Sequence, residues 1–139
     1  MFMKSTMLLG TRKGFIAYNF QNGNWKVENL SFEGIPVSIA YADPRNGNWW
    51  ACLDHGHWGV KLHYSKDRGK TWVETTAPAF PEGEEVKDGV PATTRYLWAM
   101  SQGGNKYPSK FWVGKDPGGL LVSEDGGKDF QLVESLWKH

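Results

Sequence analysis

The chain has 139 residues and a net charge of +1. That leaves no basic surplus for nucleic acid or an anionic membrane surface, and no apolar stretch is long enough to span a bilayer. The length fits one domain, and 17 Gly and 7 Pro between short apolar runs rich in its 8 Trp, 7 Phe and 5 Tyr favour an all-β protein.

The predicted elements fall into three groups in chain order, with strands lettered A to D from inside to outside. The first group, residues 1–32, opens with one Lys and few apolar residues and soon runs into strand-like sequence. No signal peptide is expected there, and the expected location is cytoplasmic. It has strand B at Thr6 to Gly10, C at Phe15 to Tyr18 and D at Trp25 to Leu30. Strand A is missing. Asn29-Leu30-Ser31 fits the glycosylation sequon, which has no meaning without a secretory signal.

The second group, residues 33–76, has A at Val37 to Ala42, B at Trp49 to Leu53, C at Gly59 to Tyr64 and D at Trp72 to Thr76. Cys52, the single cysteine, lies in an apolar run and is expected to be a buried small side chain. A long loop, residues 77–94, follows. It carries Pro78, Pro81, Gly83, Gly89 and Pro91 among the charges of Glu82, Glu84, Glu85, Lys87 and Asp88, and its length points to function or mobility. The third group, residues 95–139, has A at Tyr96 to Ser101, B at Lys110 to Gly114, C at Gly119 to Ser123 and D at Phe130 to Glu134.

Strands C and D of the second group are joined by Ser65-Lys66-Asp67-Arg68-Gly69-Lys70-Thr71-Trp72. Those of the third are joined by Ser123-Glu124-Asp125-Gly126-Gly127-Lys128-Asp129-Phe130. Both read Ser-x-Asp-x-Gly with an aromatic three residues after the Gly. The Asp carboxylate can take backbone N–H groups of its own turn, and Gly69 and Gly127 can adopt the positive φ that a tight turn needs. A degenerate copy runs from Asn19 to Trp25. Trp25, Trp72 and Phe130 thus mark three repeats, at a spacing comparable to the ~40–50 residues of a four-stranded propeller blade.

The octets closely resemble the Asp-box, or BNR, repeat of β-propellers, which include sialidases, sortilin-like receptors and photosystem-assembly factors. The segments Gly10 to Phe15, Asp54 to Gly59 and Gly114 to Gly127 are similar to the N-terminal part of bacterial BNR-repeat proteins grouped with glycosyl hydrolases or with photosystem II stability factors. The resemblance implies an all-β, partial β-propeller of about three four-stranded antiparallel blades, the first lacking its innermost strand. It also implies that the boxes lie on the side of each blade away from the ligand site. Closed propellers have about four to eight blades, so the chain is expected to be a piece of a longer propeller or a protomer that completes a ring by self-association.

In that geometry the B–C and D–A loops converge on the channel face. The B–C loops are Thr11-Arg12-Lys13, Asp54-His55-Gly56-His57-Trp58 and Lys115-Asp116-Pro117-Gly118. His55 and His57 beside Asp54 could ligate a divalent metal or work as an acid–base pair. One such pair without further Cys or His is weak, so no metal and no cofactor are expected. Asp54 and Asp116 could flank a glycosidic bond, which needs two carboxylates about 5–10 Å apart, or could simply cap turns. Arg12, Lys13 and Arg95 suit an anionic or polar ligand. Trp49, Trp50, Trp58, Trp98 and Trp112 could stack on a sugar, but most should instead fill the wedges between blades, and Trp58 is the aromatic expected at the ligand face. Sialidases use three Arg with a Tyr nucleophile. Here Arg45 and Arg68 fall on the opposite face, and the sialidase Phe-Arg-Ile-Pro segment is absent, so a sialidase site is not expected.

The expected function is binding of a polar ligand, glycan or protein partner on the channel face. A glycoside hydrolase acting through Asp54, His55, His57 and Asp116 is one alternative. An assembly factor acting through its surface is another.

Overall fold

A computed structural model of the chain describes residues 5–138. Residues 1–4 and 139, at the outer limits of the first and third groups, lie outside the described residues. The fold is all-β and antiparallel, with one short helix.

Sheet I is β1 (Thr6–Thr11), β2 (Gly14–Gln21) and β3 (Asn24–Ser31), in that order. Sheet II is β4 (Val37–Ala42), β5 (Trp49–Asp54), β6 (Val60–Ser65) and β7 (Val73–Thr75). Within the long loop a two-stranded hairpin forms from β8 (Glu85–Lys87) and β9 (Val90–Pro91). Sheet III is β10 (Tyr96–Gln102), β11 (Phe111–Asp116), β12 (Gly119–Ser123) and β13 (Gln131–Leu132). Helix α1 spans Glu134–Trp137. Each of the three larger sheets is a meander of sequential neighbours, and sheet I has three strands, as the sequence predicts.

Three expectations change. Residues 77–94 contain the β8–β9 hairpin. The last strand is only Gln131–Leu132, because the chain turns into α1 at Glu134. Asp54, Lys115 and Asp116 belong to strands rather than loops. The segment Gly56–Trp58 forms a single 3-10 turn.

The sheets stack face to face in chain order. Successive side chains of a strand point to opposite faces, and β5 uses both. Trp49, Ala51 and Leu53 join Phe15, Ala17 and Val37 in a core between sheets I and II. Trp50 and Cys52 join Ile39, Leu62, Leu97, Phe111, Val113 and Leu121 in a core between sheets II and III. A strand covered on both faces reads as a continuous apolar run, which explains Trp-Trp-Ala-Cys-Leu. Burial pushes the Cys52 thiol up to about 12, so it acts as a small apolar side chain. Among the described residues the outer face of sheet I has no such cover. Register places Met7, Tyr18 and Val27 in one row, Leu9, Ile16 and Leu30 in a second, and Phe20 beside Trp25. Met7, Leu9, Phe20, Trp25, Val27 and Leu30 are all exposed.

The two octet turns are built alike. Ser65 Oγ donates to Asp67 Oδ1 at 2.8 Å and accepts from Gly69 N at 2.8 Å. Ser123 Oγ donates to Asp125 Oδ1 at 2.8 Å and accepts from Gly127 N at 2.9 Å. The carboxylates then take the N–H of Thr71 at 2.9 Å and of Asp129 at 3.0 Å. Asp67 also accepts the Thr71 hydroxyl at 2.6 Å, and these bonds hold its carboxyl down to about 2. A Cβ at Gly127 would collide with Trp50, and Gly127 has φ +89, so only glycine fits. The degenerate copy closes differently. Asn22 and Gly23, both with positive φ, form the two-residue connection between β2 and β3, as expected of an Asn-Gly hairpin.

Candidate functional site

One cavity draws on all three sheets. It has a volume of about 490 Å³ and is lined by Arg12, Pro36, Asp54, Tyr96 and Trp98. Arg12 comes from the β1–β2 turn, Pro36 from the approach to β4, Asp54 from the end of β5, and Tyr96 and Trp98 from the start of β10.

Local chemistry fixes each wall. Thr11 Oγ1 donates to the Gly14 carbonyl at 2.9 Å and accepts the Lys13 N–H at 3.0 Å, which closes the turn and leaves Arg12 at its tip. The Lys13 carbonyl takes the Gly34 N–H at 2.9 Å, and the Pro36 carbonyl takes the Asp54 N–H at 2.9 Å. The turn, the entry to β4 and the end of β5 are therefore tied together through backbone. On the far wall, register shifts between Leu97 and Ala99. Such a bulge re-aims a side chain. Leu97 is buried in the core, whereas Trp98 is 62% exposed. Its indole meets the Tyr96 ring edge to face, with centroids 4.5 Å apart.

The sequence-predicted residues divide. Arg12 and Asp54 line the cavity. Asp116 pairs with Tyr96 across the β10–β11 ladder, and its carbonyl accepts the Arg95 N–H at 2.9 Å. Asp116 and Arg95 thus stand beside the cavity wall without lining it. Lys13 is exposed on the turn. His57 and Trp58 project from the 3-10 turn, their rings 5.4 Å apart, with Trp58 71% exposed. His55 lies near enough to His63 to help lower that imidazole, for which burial is the main cause. Among the described residues no group of three or more His, Cys, Asp or Glu could hold a metal ion.

Sequence reasoning does not single out Tyr96 or Pro36, and it offers Trp98 only as one of five Trp that could stack on a sugar. The sequence places Tyr96 and Trp98 within a strand, and both lie in β10. Trp98 follows the buried Leu97 at a register shift in β10 and is exposed.

The opposite end of the sheets holds paired charges. Arg45 and Asp43 form a buried ion pair at 2.8 Å, and Arg45 Nη1 donates to the carbonyls of Tyr107 at 2.9 Å and Lys110 at 3.0 Å. Arg68 reaches Glu28 at 2.7 Å and Thr6 Oγ1 at 3.0 Å. These two arginines clamp sheet II to sheets III and I.

A third polar feature lies under the long loop. Lys115 is 2% exposed, and its Nζ has no hydrogen-bond partner among the described residues. It sits against the ring of Phe80 and 5.7 Å from that of Trp137. Trp137 Nε1 donates to Glu84 at 2.8 Å. Burial lowers the Lys115 amine to about 8. The loop and α1 thereby close over the inner face of sheet III.

No protein-family model matches the chain, and no curated protein matches it. Among the described residues no helix is long and apolar enough to cross a membrane.

Proposed function

We propose that the chain is a ligand-binding segment of an Asp-box β-propeller, with the three stacked sheets as its blades. It binds a small polar ligand, a glycan or an exposed group of a partner in the cavity between Arg12, Asp54, Tyr96 and Trp98. The observation that carries this reading is the cavity itself, where polar and aromatic side chains from three sheets converge on one space. Concave sites with a few convergent polar groups and aromatic walls are the usual places for small ligands. The similar construction of the Ser65–Trp72 and Ser123–Phe130 turns supports the propeller reading, as does the face-to-face order of the sheets.

The apolar outer face of sheet I supports a second element of the proposal. Contiguous exposed apolar patches mark interaction surfaces, and here the cover is a second copy or further blades of a longer propeller. Sedimentation of the chain at micromolar concentration should give a mass above that of one protomer. A well-behaved monomer would overturn this element.

The hydrolase alternative has less support, because glycoside hydrolysis uses two facing carboxylates and Asp54 is the only one among the described cavity residues. The binding reading is tested by following the Trp98 indole N–H resonance while a panel of glycans and small polar solutes is added. Binding that shifts this resonance and is lost in Trp98→Ala supports it. If every binding probe acts elsewhere, or none binds, the reading fails. Turnover of a glycoside that Asp54→Asn and Asp116→Asn each abolish would replace it with the hydrolase.

A further inference from the structure

We infer that the cavity selects a zwitterion, a small molecule carrying both an ammonium and a carboxylate group. This inference rests on the reading that the cavity is the ligand site, and it narrows the ligand to one chemical class.

The cavity presents two charges of opposite sign. The Arg12 guanidinium and the Asp54 carboxylate line the same cavity, yet they form no ion pair with each other. Neither side chain has a hydrogen-bond or ion-pair partner among the described residues. Arg45 and Arg68 differ, for each is held by a carboxylate and by further acceptors. Arg45 and Arg68 join neighbouring sheets, whereas the exposed Arg12 and Arg95 join none, and of these two Arg12 shares a cavity with Asp54.

Charge balance then sorts the ligands. A simple anion would satisfy Arg12 and set its charge against Asp54. A simple cation would do the reverse. A molecule with both groups meets both walls, its carboxylate on the planar guanidinium fork and its ammonium on Asp54. The aromatic corner favours the same orientation. Trp98 lines the cavity and is largely exposed, and an ammonium over a Trp face gains cation–π attraction. A volume of about 490 Å³ admits such a solute readily. A neutral sugar could stack on Trp98, but it would meet the two charges with hydroxyls alone.

The test uses the full 139-residue chain and matched probes. Glycine betaine and γ-butyrobetaine carry both charges at two spacings, choline carries the cation alone, butyrate carries the anion alone, and methyl glucoside is neutral. Binding is followed by the Trp98 indole resonance, assigned through Trp98→Phe. At least one betaine should bind about 10-fold more tightly than choline or butyrate. Arg12→Gln should reduce betaine affinity to that of choline, and Asp54→Asn should reduce it to that of butyrate. Both side chains lie at the molecular surface, and circular dichroism establishes that the variants are folded. Choline or butyrate binding as tightly as the betaines would overturn the inference, as would a betaine affinity unchanged in either variant. If methyl glucoside shifts Trp98 and the betaines do not, the cavity stands as the ligand site and the zwitterion class falls. If no probe shifts Trp98, the zwitterion class falls.

Discussion

The two ends of the stacked sheets use the same residue types in opposite ways. At the octet-turn end, Asp43, Asp67 and Asp125 are engaged by arginine, hydroxyl or backbone N–H groups, and Arg45 and Arg68 join neighbouring sheets. At the cavity end, Arg12 and Asp54 face open space beside Tyr96 and Trp98. A buried or bridging charge needs partners to offset desolvation, so the first end reads as structure. A charge left unpartnered on a concave wall does nothing for the fold and is available to a ligand. Residue type alone would not separate these roles, whereas the partners do.

Breaking the structural end should have the largest effect. Arg45→Met leaves the Asp43 carboxylate buried without its cation and removes the Arg45 donor from the Tyr107 and Lys110 carbonyls, which keep one backbone N–H each. Loss of one member of a buried pair costs about 3–5 kcal/mol, which the urea midpoint should report.

The turn serines come next. Ser65→Ala or Ser123→Ala removes the acceptor of a buried glycine N–H, for a loss of about 1–3 kcal/mol each. The two losses should be similar if the turns do the same work, and a large difference would count against that equivalence.

Lys115 offers a change of opposite sign. Its amine is lowered to about 8 by burial, below the usual value near 10.5, so the folded state disfavours the charged form. Below pH 8 the amine is protonated in both states and the full penalty applies. As pH rises from about 8 to about 10.5 the folded state releases its proton first, and stability rises. Lys115→Met should therefore stabilise the protein at neutral pH by about 1–2 kcal/mol and abolish its gain in stability between those pH values. A destabilised variant would show that the contact with Phe80 and Trp137 outweighs desolvation.

The smallest expected effect is at acid pH. Hydrogen bonds hold the Asp67 carboxyl down to about 2, so it contributes stability above the ordinary carboxylate value. That contribution is lost as pH falls from about 4 towards 2. Asp67→Asn should flatten this part of the acid unfolding curve.

Much of the strand layout was legible because its signals are local. Alternating apolar residues, Gly and Asp at the octet turns and the Trp-Trp-Ala-Cys-Leu run place the strands of sheets I and II within a few residues. Arg12 and Asp54 were legible as polar residues at strand connections. The rest depends on tertiary structure. Trp58, chosen for its loop position, projects into solvent, and Trp98 lines the cavity at a register shift in β10. The turn into α1 shortens the last strand and brings Trp137 over Lys115. The hairpin Glu85–Lys87 with Val90–Pro91 lay hidden in a Pro-rich, charged segment that reads as loop.

The contrast between the two ends is tested most directly by one substitution made at each. Urea unfolding of Asp43→Asn and Asp54→Asn, measured side by side, compares an aspartate in a buried pair with an aspartate on the cavity wall. Asp43→Asn should lose about 3–5 kcal/mol, and Asp54→Asn should change stability by no more than about 0.5 kcal/mol. Equal losses would contradict that contrast, because Asp54 would then be part of what holds the fold together.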